Sequence, residues 1–343
     1  MKSAIAGGFA LVVSAFLSLT APASVQAAPR VTIKYAHCCP PTQAFGVYAL
    51  DFADRVKKKS KGEIVVEVLH GGVMGTEQVA AQKVQLGVIQ MGGITGTNVA
   101  QLAPSLNFLG MPYMFTSIDQ VTGPKGVLRA GPFRDELNKR VQKESGTLRV
   151  VGGYTNAFRS MFAKNKCISK VGDLKGLKFR APKNPIMTAM WDAWGISTYP
   201  IAWGETFGAI GSGVVDAFDS PTEVILTMGF HQHIKYITES TYLPLAAVVI
   251  VNTRFFDSLA EADRKLILEA ANEADAAHAE WLRKVTADVH KGLVAKGVKF
   301  CELENVNEWQ SRAQGAWPKL YKLVGGGKEW VDTAQRYLKD GKL

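Results

Sequence analysis

Residues 30–37, "RVTIKYAH", alternate apolar and polar side chains with the period of two that gives a strand one buried face. Over 45–62, "FGVYALDFADRVKKKSKG", apolar residues recur at helical spacing until a glycine ends the run, and 63–70, "EIVVEVLH", is strand-like again. Strand, helix, strand is the repeating unit of a mostly parallel sheet. The pattern over 76–92 predicts a helix running into a short apolar strand, and 147–154 a strand that follows a polar helix. Ser258 is placed to cap a helix that continues without proline to about Val294, well beyond the usual globular length, so this helix must bridge two lobes or lie along both. A chain of 343 residues also exceeds what one core usually holds. With no internal repeat and no low-complexity linker, two lobes joined by crossing strands are expected in place of a flexible tether.

The N-terminus reads differently. "MKSAIAGGFALVVSAFLSLTAPASVQAAPR" has one lysine, an apolar run to about Leu19, and then small residues, with Val25 and Ala27 where a signal peptidase prefers them. Residues 1–27 are therefore expected to be a cleaved secretory signal. Later apolar runs are too short to span a bilayer, so a soluble periplasmic product is expected. The chain has 40 basic and 30 acidic residues, and loss of the signal removes only Lys2 from that count. The excess suits an acidic ligand, a membrane surface or nucleic acid. Its basic residues are scattered, however, and the short run Lys57-Lys58-Lys59 reads as a solvated helix face. Nucleic acid is not expected as a partner.

Catalytic patterns are hard to find. "AIGSGVV" around Ser212 lacks the outer glycines of a nucleophile elbow, and "GSGVVD" (211–216) lacks the third glycine of a dinucleotide fingerprint. "HQH" (231–233) offers two imidazoles with no third ligand at motif spacing, so neither a metal nor a cofactor is expected. Four cysteines, Cys38, Cys39, Cys167 and Cys301, allow three full pairings. A bond between neighbours is geometrically awkward, which favours Cys167 with Cys301, each in a short strand-like segment. "HCCPP" (37–41) reads as a packed loop after the first strand in preference to a metal or redox site.

In "DLKGLKFRAP" (173–182), Leu177 and Phe179 share one strand face and Pro182 stops the strand, leaving Arg180 at its end, either solvated or holding an anion. This segment, with "KKKSKGEIVVEV", "GVMGTE", "QLGVIQM", "LGMPYMF" and "GVVDAFDSP" in that order, resembles the periplasmic solute-binding proteins of TRAP (tripartite ATP-independent periplasmic) transporters, from Val31 to about Phe300. The resemblance implies an α/β fold of two lobes with mostly parallel sheets, crossing strands and a long helix spanning both lobes. It implies a first lobe from 28–155, a second from 156–243, a return to the first over 244–283, and the second lobe with C-terminal helices over 284–343.

The same resemblance implies that Arg180 pairs with a ligand carboxylate, for which a guanidinium's two parallel N–H donors are suited. Arg159, by itself a surface residue of an alternating strand, becomes the second ligand arginine. Ser220 stands where many relatives carry an amide, flanked by Phe218 and Asp219, and offers only one hydroxyl donor. Trp203, Tyr242 and Phe218 are candidates for an apolar part of the ligand, with core packing as the alternative. The first lobe would contribute the loop from His37 and the turn with Thr95 and Thr97. The implied partners are a small carboxylate and the small and large membrane subunits of a sodium-coupled permease, served by a monomeric receptor. The alternatives are a periplasmic enzyme in the same cleft, or a sensory ligand-binding subunit.

Overall fold

The computed structural model describes residues 28–343, so the expected signal at 1–27 lies outside the described residues. Strand β1 (Val31–Ala36) pairs in parallel with β2 (Ile64–Leu69) and β3 (Met91–Thr95). The helix Ala44–Lys59 crosses between β1 and β2, burying Phe45, Tyr48, Phe52 and Val56 on one stripe. The lysine run at 57–59 is its last turn, where cations complement the helix dipole, and Lys59 pairs with Glu273 at 2.7 Å.

Two strands run between the lobes. The sixteen-residue β4 (Leu148–Ala163) pairs antiparallel with β9 (Pro244–Asn252), and β9 itself pairs antiparallel with β3. Beyond Phe158, β4 leaves β9 and pairs instead with β7 (Ala217–Pro221) and β8 (Tyr236–Thr238). On β7 the second sheet continues in parallel through β5 (Phe179–Ala181) to β6 (Thr198–Pro200), and β10 (Lys299–Cys301) pairs in parallel with β8. The molecule is thus two-lobed: parallel arms on each side, joined through antiparallel crossing strands.

The long helix, Glu261–Ala295, spans both lobes. Ile267, Ala270, Ala271 and Ala274 pack into the first-lobe core with Tyr48, Phe52 and Val249. Val289 and Leu293 pack into a second-lobe core with Phe162, Phe218 and Phe230. Ser258 does not cap this helix: it closes a separate short helix, Thr253–Ser258, where its hydroxyl donates to the Phe255 carbonyl at 2.7 Å. The last helix, Gly327–Asp340, departs from the expected second-lobe placement. Trp330 stacks on Phe133 and donates to the Ser105 carbonyl at 3.1 Å, because its aromatic stripe completes a core that the helix Pro132–Ser145 leaves open on the first lobe. Cys167 and Cys301 are joined as a disulfide beside β8 and β10.

Candidate functional site

Between the lobes lies a cavity of about 220 Å³, below the roughly 300–1,000 Å³ of sites for drug-sized molecules, so it suits a small solute. Arg180 reaches it from β5. Phe179 anchors that strand under Trp191, with ring centroids 4.0 Å apart, and Pro182 turns the chain away after three paired residues. Arg180 Nε donates to the Ile201 carbonyl at 3.0 Å and the guanidinium lies over the Trp203 ring. Among the described residues, neither Nη nitrogen has a hydrogen-bond partner and no carboxylate forms an ion pair with Arg180. The residue is nonetheless only 2 % exposed. Burial, with Arg159 adding to it against the opposing pull of Asp219, Glu77 and Glu205, pushes its pKa down to about 10. The group remains a cation at neutral pH, and a buried cation without a partner is costly until an anion joins it.

Arg159 faces the same cavity from β4 but is already neutralised. Its Nε donates to Asp219 Oδ2 and its Nη2 to the Asp219 carbonyl at 3.0 Å. Burial works against its charge, but Asp219 and Tyr242 outweigh that and hold its pKa above the ordinary value. Asp219 accepts a second hydrogen bond from the Tyr242 hydroxyl. Asp219 and Tyr242 therefore stand behind Arg159 and do not line the cavity. Tyr242 packs against Trp191 and Trp194, and Phe218 lies in the second-lobe core, where the alternation of β7 sends it to the sheet face opposite Asp219.

His37 does not line the cavity either. Its ring bonds His70 at 2.8 Å, and burial, helped by His70, lowers its pKa to about 3, so it is a neutral packing group. Trp203, Ser220, Thr95 and Thr97 do line the cavity. His231 and His233 sit away from it, His231 near the Ile225 carbonyl and His233 against Phe207.

Several lining residues carried no sequence signal. Asn156 is fully buried, faces the cavity, and has neither amide atom hydrogen-bonded. In a regular strand Asn156 and Arg159 would point to opposite faces. A register shift between Thr155 and Phe158, with Ala157 at φ +98°, brings both to the cleft. Glu77 is occupied by the Thr95 N–H and the Asn98 amide, each at 2.7 Å. Gln43 donates across the cleft to Glu223 at 3.3 Å, and burial raises the Glu223 pKa to about 8. Asn184 donates to the Thr97 carbonyl and Gln78 to the Lys183 carbonyl at 3.4 Å, so the lobes already touch around the cavity.

A buried guanidinium with open donors, enclosed by two lobes on crossing strands, defines a receptor for a small anion. The sequence profile of the bacterial extracellular solute-binding proteins, family 7, matches residues 35–323. The chain is 29% identical over 256 residues to a solute-binding protein of Verminephrobacter eiseniae, covering 74% of this chain and 72% of that one. It is similar to the apo, open TRAP periplasmic solute-binding protein of Rhodobacter sphaeroides, at 27% identity and TM-score 0.75, covering 90% of this chain and 99% of that one. The TRAP periplasmic solute-binding protein of Polaromonas sp. JS666 bound to D-erythronate shares the fold at TM-score 0.80 and 24% identity, over 89% and 98% of the two chains. The chain belongs to family 7 of the bacterial extracellular solute-binding proteins. Among its described residues no helix is long and apolar enough to cross a membrane.

Proposed function

We propose that this chain is exported by cleavage after Ala27 and works in the periplasm as a monomeric receptor without turning its ligand over. It captures a small organic acid in the interlobe cavity and delivers it to the small and large membrane subunits of a TRAP permease. Arg180 holds the carboxylate, Arg159 is a second cationic contact kept rigid by Asp219, and Asn156 and Ser220 bond polar groups on the ligand's body. The observation that carries this reading is the Arg180 guanidinium, buried and without a protein acceptor for its Nη donors, facing a cavity of solute size. Relatives were found with D-erythronate and L-galactonate bound, so hydroxy acids are the first ligands to try.

A thermal-shift screen against mono- and dicarboxylic acids, hydroxy acids and their uncharged amides tests it. At least one acid should raise the melting temperature progressively with the logarithm of its excess, while its amide does not. Equal shifts from acid and amide would remove the carboxylate from the reading.

A further inference from the structure

Cys38 and Cys39 are neighbours in the chain, and both line the interlobe cavity. Their sulfurs lie 2.7 Å apart as two free thiols in contact, beyond the roughly 2.03–2.05 Å of a formed disulfide but close enough for a small movement to join them. The loop that carries them is clasped on both sides. Gly71 N–H donates to the Cys39 carbonyl at 2.9 Å, Gly72 N–H donates to the His37 carbonyl at 3.0 Å, and the Cys39 N–H donates to His37 Nδ1 at 3.2 Å. Cys39 is 1 % exposed and Cys38 partly so.

Two other uses of such a pair fit the surroundings poorly. A thiolate metal site needs further ligands, and among the described residues no group of three His, Cys, Asp or Glu side chains converges. A nucleophilic thiol needs a lowered pKa, whereas the contact with Cys39 and then burial push the Cys38 thiol well up.

We propose that Cys38 and Cys39 are joined in the exported protein as a vicinal disulfide that forms part of the wall of the acid-binding cavity. The proposal rests on the reading of the chain as an exported receptor. A disulfide-donating oxidoreductase of the export compartment is the oxidant. One cysteine thiolate attacks the donor's disulfide and forms a mixed disulfide, and the neighbouring thiolate then displaces the donor's sulfur. Two electrons and two protons pass to the donor, which leaves as a dithiol. Because the folded loop keeps Cys38 protonated, this exchange takes place before the loop packs. Neighbouring Cα atoms across a trans peptide are about 3.8 Å apart, short of the usual range of roughly 4.4–6.8 Å for bridged cysteines, so the bond is strained and easily reduced. The Cα atoms of Cys167 and Cys301 are 5.9 Å apart, within that range. The cavity wall then opens under reducing conditions that leave the rest of the protein intact.

Peptide mapping of the full chain, expressed with its N-terminus for export and recovered from the periplasm, tests this. The protein is denatured with N-ethylmaleimide and no reductant, then digested with trypsin. The peptide spanning 35–55 should carry no maleimide and be two hydrogen atoms lighter than its dithiol form, with Cys167 and Cys301 linked in the same digest. Maleimide on both Cys38 and Cys39 beside a linked Cys167–Cys301 overturns the proposal and leaves the export reading standing. All four cysteines labelled overturns the proposal and the Cys167–Cys301 bond together, and a chain that never reaches the periplasm overturns the export reading. In a second arm, the native protein is pulsed with a phosphine before labelling. The 35–55 peptide should take up label ahead of Cys167 and Cys301; the reverse order overturns the claim that the pair is the easily reduced one.

Discussion

Arg180 and Arg159 face one cavity with the same charge, yet only one of them lacks a protein counter-ion. Arg159 spends its donors on Asp219, while Arg180 has an isolated bond to the Ile201 carbonyl and open Nη donors. Arg180→Ala should therefore weaken binding of an acid found by the screen by roughly 2–5 kcal/mol, about thirtyfold to several-thousandfold, read by calorimetric titration. Arg180→Lys keeps the charge, loses the two-pronged geometry, and should recover only part of that loss. Wild-type affinity in a folded Arg180→Ala protein would remove this arginine from the site. Asn156 makes the complementary case. Its buried amide has no partner, so Asn156→Leu should leave the ligand-free protein as stable as wild type or more stable by about 1–3 kcal/mol in chemical denaturation, while weakening the acid's binding. A ligand-free protein that is clearly less stable would mean that the amide is bonded within the fold. The place of Arg180 at the end of a short strand was legible from the proline that follows, while its assignment to a carboxylate came only from the family resemblance; Asn156 was hidden because a period-two reading of β4 sends it away from Arg159.

At the level of elements, local pattern predicted β1, the helix Ala44–Lys59, β2 and most of the long helix, since each buries a regular stripe. It stopped β4 nine residues short of its end at Ala163 and read Arg159 as part of another alternating strand, because the bulge around Ala157 breaks the period of two that would have joined the two stretches. It also set the start of the long helix at Ser258, whose hydroxyl turns back to its own short helix. Two elements invite measurement. The Cys167–Cys301 bond closes a separation of 134 residues, and the double change Cys167→Ser with Cys301→Ser should cost about 2–4 kcal/mol in denaturant unfolding; a midpoint matching wild type would deny it a stabilising role. Glu223 begins the short helix Glu223–Thr227 on the second lobe, where its folded pKa of about 8 lies above the ordinary 4.5 because burial disfavours the carboxylate. The unfolded chain releases this proton first as pH rises. Glu223 therefore contributes its full share below about pH 4.5, and that share is lost progressively as pH rises through about 8. Melting curves of wild type and Glu223→Gln should diverge across that window, with the variant falling less steeply. Parallel curves would mean the carboxyl does not titrate as its burial implies.

For the whole molecule, the cavity is enclosed by contacts from both lobes, including Asn184 to the Thr97 carbonyl and Gln43 to Glu223. A ligand that bridges Arg180 and first-lobe residues such as Thr95 should favour this closed arrangement over an open one, by its difference in affinity for the two. Small-angle scattering should show a smaller radius of gyration when the acid is added to wild type, and no change with Arg180→Ala; an unchanged wild type would mean that the lobes do not move on binding. The pairing order of the first sheet has a consequence for how the chain matures. β9 lies between β3 and β4 in space but follows both in sequence by a long interval, so the first lobe lacks its central strand until the ribosome has passed Asn252. Pairings across such intervals form slowly. Under the export proposed above, this delay leaves the first sheet unclosed until late, which suits a chain that must pass through a narrow membrane channel before it folds.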